Sequence, residues 1–353
     1  MQGIRISSIP LKSISISNDI LAILNPNNWK NIKLYDLSSG KLLSNSIDHS
    51  MDINEIALNQ SVGNRERKLC FIDVNKDLYI TNCYQTKLLK ICSMCDTFKW
   101  NESNDMIAAI ADDKYYCWIY PNAIYLDKEL LDGSKYEKDA SEIGKNCQIV
   151  SFTGSFCNVL KSDGSICTKS ITPYASILLN LLNFNDGLER GLKLCRYVKD
   201  KVLWTAYSAI CINYSEINIA ETAFAAIDEV DKVRFIDKII KMKDQCDSAL
   251  VHAYILLLSN KVDEAENILL QSKLIYRAIK LNINLFRWDR AYNLAYQNKV
   301  HIDTVLGFRN KYLEASDLVE TSSKFIELAK DVKVDWNKIR AKIEEDKEAE
   351  KKK

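Results

Sequence analysis

The sequence predicts an all-β partial WD40-like propeller followed by an all-α TPR-like solenoid, and three observations carry that expectation. Up to about Lys169, apolar residues alternate in short runs separated by turn signals, the period of half-buried strands. From Tyr174 onward the apolar spacing is helical, and no glycine or proline lies between Gly191 and Gly307, which leaves Asn, Asp and Ser to make the turns. One short helical pattern then occurs twice, with its alanines 26 residues apart: VDEAENI from Val262 to Ile268 and WDRAYNL from Trp288 to Leu294.

Strands are expected at Ile20 to Leu24, Ile32 to Leu37, Ile53 to Leu58, Lys68 to Val74, Leu78 to Asn82, Met106 to Ile110, Tyr115 to Tyr120, Ile149 to Thr153, Phe156 to Leu160 and Ile166 to Thr168. Ser39-Gly40, Asn75-Lys76-Asp77 and Asp163-Gly164 supply turns between them. The clearest unit is NIKLYDLSSGKLL, Asn31 to Leu43, in which a strand carries an aromatic-Asp pair and then turns tightly into a second strand. That is the pattern of a WD40 blade end. The aromatic recurs at Tyr79 and Trp118, at spacings of 44 and 39 residues, inside the range of propeller blades. His49 stands where such blades place a histidine, although Asp48 replaces the usual glycine. The expectation for residues 1–172 is about four blades, the last following a charged insertion from Asp127 to Lys145. Four are fewer than a ring usually holds, so either the chain lacks an N-terminal part or another chain completes the circle.

Helices are expected at Tyr174 to Leu182, Gly187 to Val198, Leu203 to Asn213, Ile217 to Ile227, Lys232 to Met242, Ser248 to Leu258, Val262 to Gln271, Ile275 to Leu281, Trp288 to Tyr296, Thr304 to Tyr312, Lys324 to Lys330 and Trp336 to about Ala349. In the repeated pattern a bulky residue, an alanine and a second bulky residue follow one another at intervals of three, so all lie on one face, and the alanine admits a partner helix closely. Weaker copies run from Leu188 to Leu194 and from Ile217 to Ala223, as expected of a divergent solenoid over residues 173–335. Residues 336–353 form a charged C-terminal helix or tail, expected to fray into solvent beyond Ile339 and Ile343.

Composition narrows the function. The 353 residues carry 48 basic and 47 acidic side chains, a net charge of +1, which gives no general attraction to nucleic acid or anionic lipid. The segment MQGIRISSIPLKS is too polar for a signal peptide and no apolar run is long enough to span a bilayer, so no direct membrane insertion is expected and the chain reads as soluble and intracellular. The 11 cysteines are an odd, scattered set, read as buried thiols of a reducing compartment. The three histidines make no HExxH, and neither GxxxxGK[ST] nor GxGxxG occurs. Cys92-Ser-Met-Cys95 lacks a second pair and a βαβ context, and is read as packing between blades. No catalytic, cofactor-binding or metal-binding residue is assigned, and the chain is expected not to be an enzyme. With Val262, Ala265, Ile268, Trp288, Ala291 and Leu294 facing inward, the candidate partner-binding residues on the other faces are Tyr276, Arg277, Arg290, Tyr292, Trp336 and Arg340.

Dispersed runs carry a more specific resemblance. Tyr120 to Asn122, Tyr136 to Glu142, Ile149 to Phe152, Asp163 to Ser165 and Ile171 to Tyr174 lie around the domain junction. Leu194 to Lys199, Glu229 to Val233, Glu264 to Glu266, Ile283 to Leu285, Asp303 to Leu306, Asp335-Trp336 and Ala341 to Glu344 lie in the helical part. These resemble the intraflagellar transport protein 80 family, complex B subunits with two WD40 propellers and a helical solenoid. The chain resembles only the second half of such a protein, without the first propeller and the opening blades of the second. Contacts of that first propeller, including its docking of a calponin-homology domain, therefore do not carry over. The resemblance implies a non-enzymatic scaffold at the cilium or flagellum and basal body, needed to assemble cilia. Its partners would be other intraflagellar transport complex B subunits, with self-association left open. The alternative from the same architecture is a vesicle-coat or tethering subunit.

Overall fold

The computed structural model describes residues 13–43, 46–60, 67–243 and 248–351. The N-terminal stretch read for a signal peptide lies outside these, apart from Ser13, and so does Cys246. Four antiparallel sheets come first. They are β1 (Ile14–Ile16), β2 (Ile20–Leu24), β3 (Asn31–Asp36) and β4 (Ile47–Asp48); β5 (Ile53–Leu58), β6 (Lys68–Asp73), β7 (Leu78–Asn82) and β8 (Gln85–Cys92); β9 (Cys95–Trp100), β10 (Ile107–Ala111), β11 (Lys114–Trp118) and β12 (Lys135–Asp139); and β13 (Gln148–Thr153), β14 (Phe156–Leu160) and β15 (Ile166–Ser170). Successive sheets meet through their first strands, β1 with β5, β5 with β9 and β9 with β13, as blades do around a common axis. The second strands ILAIL, KLCFID and IAAIA are buried along their whole length, because neighbouring sheets cover both faces. This is the four-blade propeller that the sequence predicts.

Tyr35, Tyr79 and Trp118 fall on the third strands of successive sheets, Tyr35 and Trp118 towards the end of theirs and Tyr79 near the start. His49 sits 3.2 Å from the Asp73 carboxylate through Nε2 and packs against Tyr79 and Phe71 at ring distances of 4.7 and 5.2 Å. The other oxygen of Asp73 accepts the Asp77 amide at 2.9 Å, so one buried carboxylate fixes a tight turn and the histidine of the preceding loop together. Arg67 and Lys68 carry out the same joining between blades. The Arg67 guanidinium reaches Asp19 of the first sheet at 2.7 Å and the Lys68 ammonium reaches Asp105 of the third at 2.8 Å. Both cations are almost fully buried, 1% and 2% exposed. Arg67, just before β6, and Lys68, its first residue, thus clamp the second blade to both neighbours.

The segment Asp127 to Lys145, expected as an insertion, instead carries the fourth strand of the third sheet, β12. Two short helices, α1 (Ala123–Leu126) and α2 (Lys128–Gly133), lead into it. The strand KYEKD runs at the rim with its last three residues exposed, which is why it shows no apolar alternation.

Helices follow from Pro173: α3 (Pro173–Leu181), α4 (Gly187–Val198), α5 (Lys201–Asn213), α6 (Ile217–Ala226), α7 (Val230–Lys243), α8 (Ser248–Leu258), α9 (Val262–Gln271), α10 (Ile275–Asn284), α11 (Trp288–Asn298), α12 (Ile302–Ala315), α13 (Ser323–Asp331) and α14 (Trp336–Lys351). The chain divides into two compact units after Val230. In the first, α3 to α6 pack with the sheets. Asn104 donates to Ser176 at 3.1 Å, the Tyr136 hydroxyl bonds Asp200, and α2 lies on α5 so closely that a methyl group on Gly133 would meet Thr205 Cγ2 at 3.0 Å.

The second unit stacks helix hairpins on a core of Leu250, Leu269, Leu274, Ile279, Leu294, Val305 and Leu306. The small residue of the repeated pattern is buried in every copy: Ala265, Ala291, Ala220 and, in the weak copy, Gly191. Its flanks follow the expectation less closely. Leu294 is buried, but Val262, Ile268 and Trp288 are half-buried, and Leu269 takes the inner position instead of Ile268. Several hairpin turns carry a left-handed residue just after the helix, with paired backbone bonds such as Arg287 N to Asn282 O at 2.9 Å and Phe286 N to Ile283 O at 3.1 Å. Ser215, Asp228 and Asn260 take that conformation as expected, but so do Lys273, Phe286 and Lys299.

The helix expected from Trp336 to about Ala349 is present, and only its expected fraying differs. Up to Lys351 it is helix, not a fraying tail, with Ile339 fully buried and Trp336 set edge-on to Phe308 at 5.5 Å.

Candidate partner-binding surface

Five of the six residues proposed for partner contact have partners within the chain. Tyr276 and Tyr292, expected outside the core, are buried at 7% and 9% exposure. The physical reason is a third layer. Tyr276 packs at a tilt against His301 at 4.9 Å in the region that α14 overlies, and Tyr292 meets Phe325 of α13 at 6.0 Å with the Lys324 ammonium 4.4 Å above its ring. Arg277 forks onto Glu350 of α14, Nη2 to Oε2 at 2.7 Å and Nε to Oε1 at 3.1 Å. Burial opposes the charge of that guanidinium, but the Glu350 carboxylate outweighs it and the net direction is upward. Arg290 donates through Nε to Glu266 at 2.9 Å, and this hydrogen bond raises its pKa. Glu266 is itself 3% exposed and also accepts from Asn282 Nδ2 at 2.7 Å. Trp336 is half-buried, with the Lys311 ammonium 3.7 Å over its ring, and Arg340 is exposed. The six residues do not converge on one surface.

A different surface is built around the α10–α11 turn. Phe286 holds a left-handed conformation at φ +55°, a strained choice for a bulky side chain, and is 59% exposed. Its ring lies 4.9 Å from Tyr312 and 6.1 Å from Trp288, which are themselves 5.6 Å apart. The Arg309 guanidinium sits 5.6 Å from the Trp288 ring and is fixed by Glu320, whose carboxyl it holds below the usual range. An open cavity of ≈ 660 Å³ runs past Phe286, Trp288 and Arg309 to Arg287 and Asp263, which pair at 2.7 Å. An exposed phenylalanine on two half-buried aromatic rings, beside an ordered arginine, is a combination enriched at protein interfaces. The only sequence signal for it is a phenylalanine at a position that the turn requires to be left-handed.

The Cys95 thiol is pushed well up by its hydrogen bond with Cys92 and by burial, the opposite of what a nucleophilic thiolate needs. Burial likewise raises Cys157, Cys195 and Cys211 to about 12. The ten described cysteines are free thiols. Among the described residues, no grouping of His, Cys, Asp and Glu could hold a metal ion and no helix is long and apolar enough to cross a membrane.

Residues 1–174 match the family model described as "IFT80 second beta-propeller", and residues 203–352 match "IFT80/172/WDR35/WDR19 TPR domain". Among curated relatives, intraflagellar transport protein 80 homologues of Rattus norvegicus and Mus musculus are 39% and 38% identical over 97% of this chain. WD repeat-containing protein 19 of Homo sapiens is 23% identical over 65% of the chain and 18% of its own length. The chain spans 44% of the length of the two protein 80 homologues.

Proposed function

Because the chain belongs to the intraflagellar transport protein 80 family, over the second propeller and the helical domain that follows it, we propose that it is a non-enzymatic scaffold subunit of intraflagellar transport complex B. In that role it supports assembly of the cilium or flagellum, where it works with other complex B subunits at the axoneme and basal body. The observation that carries this reading is the match of both domains in order across nearly the whole chain. The absence of strong net charge fits a protein that binds proteins, not nucleic acid or lipid.

The proposal divides the chain by role. Residues 1–172 supply blades, and the change from strand to helix at Pro173 supports that limit. Residues 173–335 supply the partner-binding solenoid, with residues 336–353 as its charged C-terminal helix. Partner contact through Phe286, Trp288 and Arg309 is the first choice, and Arg340 remains a candidate because it is exposed. Phe286→Gly tests the surface with little risk to the fold. Glycine takes the left-handed turn without a Cβ penalty, which offsets the lost ring contacts and its own chain entropy to within about 1 kcal/mol. In ciliated cells, tagged protein should recover complex B subunits and the Phe286→Gly variant should lose them with amide exchange over α10 and α11 unchanged. Recovery of Golgi or endosomal coat proteins in their place would sink the assignment, whereas full recovery by the variant would move the surface elsewhere.

A further inference from the structure

Helix α14 is built against the electrostatics of an isolated helix. Its first half carries Lys338, Arg340 and Lys342 and no acid, and its second half carries Glu344, Glu345, Asp346, Glu348 and Glu350 against Lys347 and Lys351, a net distribution opposite to what the helix dipole favours. A 16-residue helix with few apolar positions does not hold in water alone. Its seat on the second unit therefore decides its conformation.

That seat has two parts. The N-terminal part is apolar: Gly307 leaves room for Trp336, since an added Cβ would stand 3.1 Å from both Trp336 Cζ2 and Val334 Cγ1, and Ile339 is fully enclosed. Beyond Ile339 the attachment is polar. Lys342 meets Asp303 at 2.6 Å, Asp346 meets His301 Nε2 at 2.5 Å, and Glu350 meets Arg277 at 2.7 Å. His301 is also held from its own side of the contact. The histidine's other nitrogen is 3.1 Å from Thr304 Oγ1, and its ring rests on Tyr276. An open crevice of ≈ 600 Å³ beside His301, Asp303, Lys342 and Asp346 leaves this polar half accessible to solvent. An imidazole held within the second unit and the guanidinium of Arg277 thus meet two carboxylates spaced four residues apart, one face of one helix.

We propose that the surface made by Tyr276, Arg277 and His301 is an acceptor for acidic helices, that α14 is its resident occupant, and that a partner helix with two carboxylates four residues apart displaces the polar half of α14. Polar attachment is weaker and more salt-sensitive than apolar burial, so this half is the one that yields while Trp336 and Ile339 stay seated. The inference concerns the second unit by itself and stands independently of the particle that the chain joins.

The test uses the full chain and, as probe, a fluorescent peptide with the sequence of residues 336–351. Asp346→Lys with Glu350→Lys in the full chain repels the resident helix, and this variant should bind the probe about tenfold tighter than the unaltered chain does. Adding Arg277→Glu should remove that gain, and a probe with amides in place of its two facing carboxylates should not bind. Hydrogen exchange of α10 and α12 reports whether the seat survives; if the lysines disturb it, the neutral pair Asp346→Asn with Glu350→Gln must give the same order of affinities. Equal affinity of the probe for unaltered and opened chains, or a gain that survives Arg277→Glu, overturns the proposal.

Discussion

Replacing Arg290 by alanine tests whether the repeat interior depends on one buried carboxylate. Glu266 is 3% exposed, and without Arg290 its Oε1 loses that guanidinium while Oε2 keeps Asn282 Nδ2 at 2.7 Å. Breaking a fully buried ion pair costs about 3 to 5 kcal/mol. The Arg290 side chain is 48% exposed and borders the open cavity, so water reaches the vacated side and the cost falls to about 1 to 3 kcal/mol. Glu266→Gln removes the charge that needs a partner, and the double variant should regain all but about 0.5 to 1 kcal/mol. The chain has two compact units, so one melting curve does not report on this site. Amide exchange over α9, α10 and α11 gives the local opening free energy instead. A shift under about 0.5 kcal/mol in the single variant, or additive effects in the double, would refute the dependence. The same geometry shows why charge reversal at Arg290 cannot probe binding: it would set a second carboxylate against Glu266.

Two further outcomes follow from packing and charge. Ala265→Leu or Ala291→Leu should cost about 1 to 3 kcal/mol by overpacking, because both alanines are fully buried, while Trp288→Ala should cost less than a core tryptophan because Trp288 is half-buried; near-neutral effects at both alanines would remove the close helix contact. Acid should loosen α12 to α14. Arg309 holds Glu320 below the usual range, and at Asp303 burial pushes the carboxyl up but Lys342 pulls it further down. A depressed folded pKa contributes stability that is present above the unfolded values near 4 and is lost as pH falls through the folded ones, so exchange protection of these helices should drop between about pH 5 and pH 3. Glu320→Gln should remove its share of the drop, and protection unchanged down to pH 3 would contradict both assignments.

The parts legible in the sequence were those whose signal is local. Helix α9 runs from Val262 to Gln271 as its periodicity predicts, and Tyr35, Tyr79 and Trp118 land on equivalent strands, because blade and hairpin are repeated units with a fixed spacing. Strands β1, β4, β8, β9 and β12 were missed, and for β8 and β12 the reason is the converse one. QTKLLKIC and KYEKD mix charge with apolar residues, and neither shows the period-two alternation that marks a half-buried strand. The candidate surface failed at a longer range. Helical spacing tells which residues share a face, but not how many other helices cover the remaining faces. Tyr276 and Tyr292 are buried in regions that α14 and α13 overlie, with ring partners at His301 and Phe325. Arg277 finds its carboxylate 73 residues away and Arg290 finds its own 24 away, separations at which no periodic pattern constrains the pairing. Phe286 shows what does remain readable. Once the helices on both sides are placed, the turn between them requires one left-handed residue, and glycine or asparagine would take it at little cost. A bulky aromatic held there, more than half exposed, spends conformational energy with little burial in return, so in a hairpin of this kind the residue type at the turn is itself the mark of a candidate binding residue.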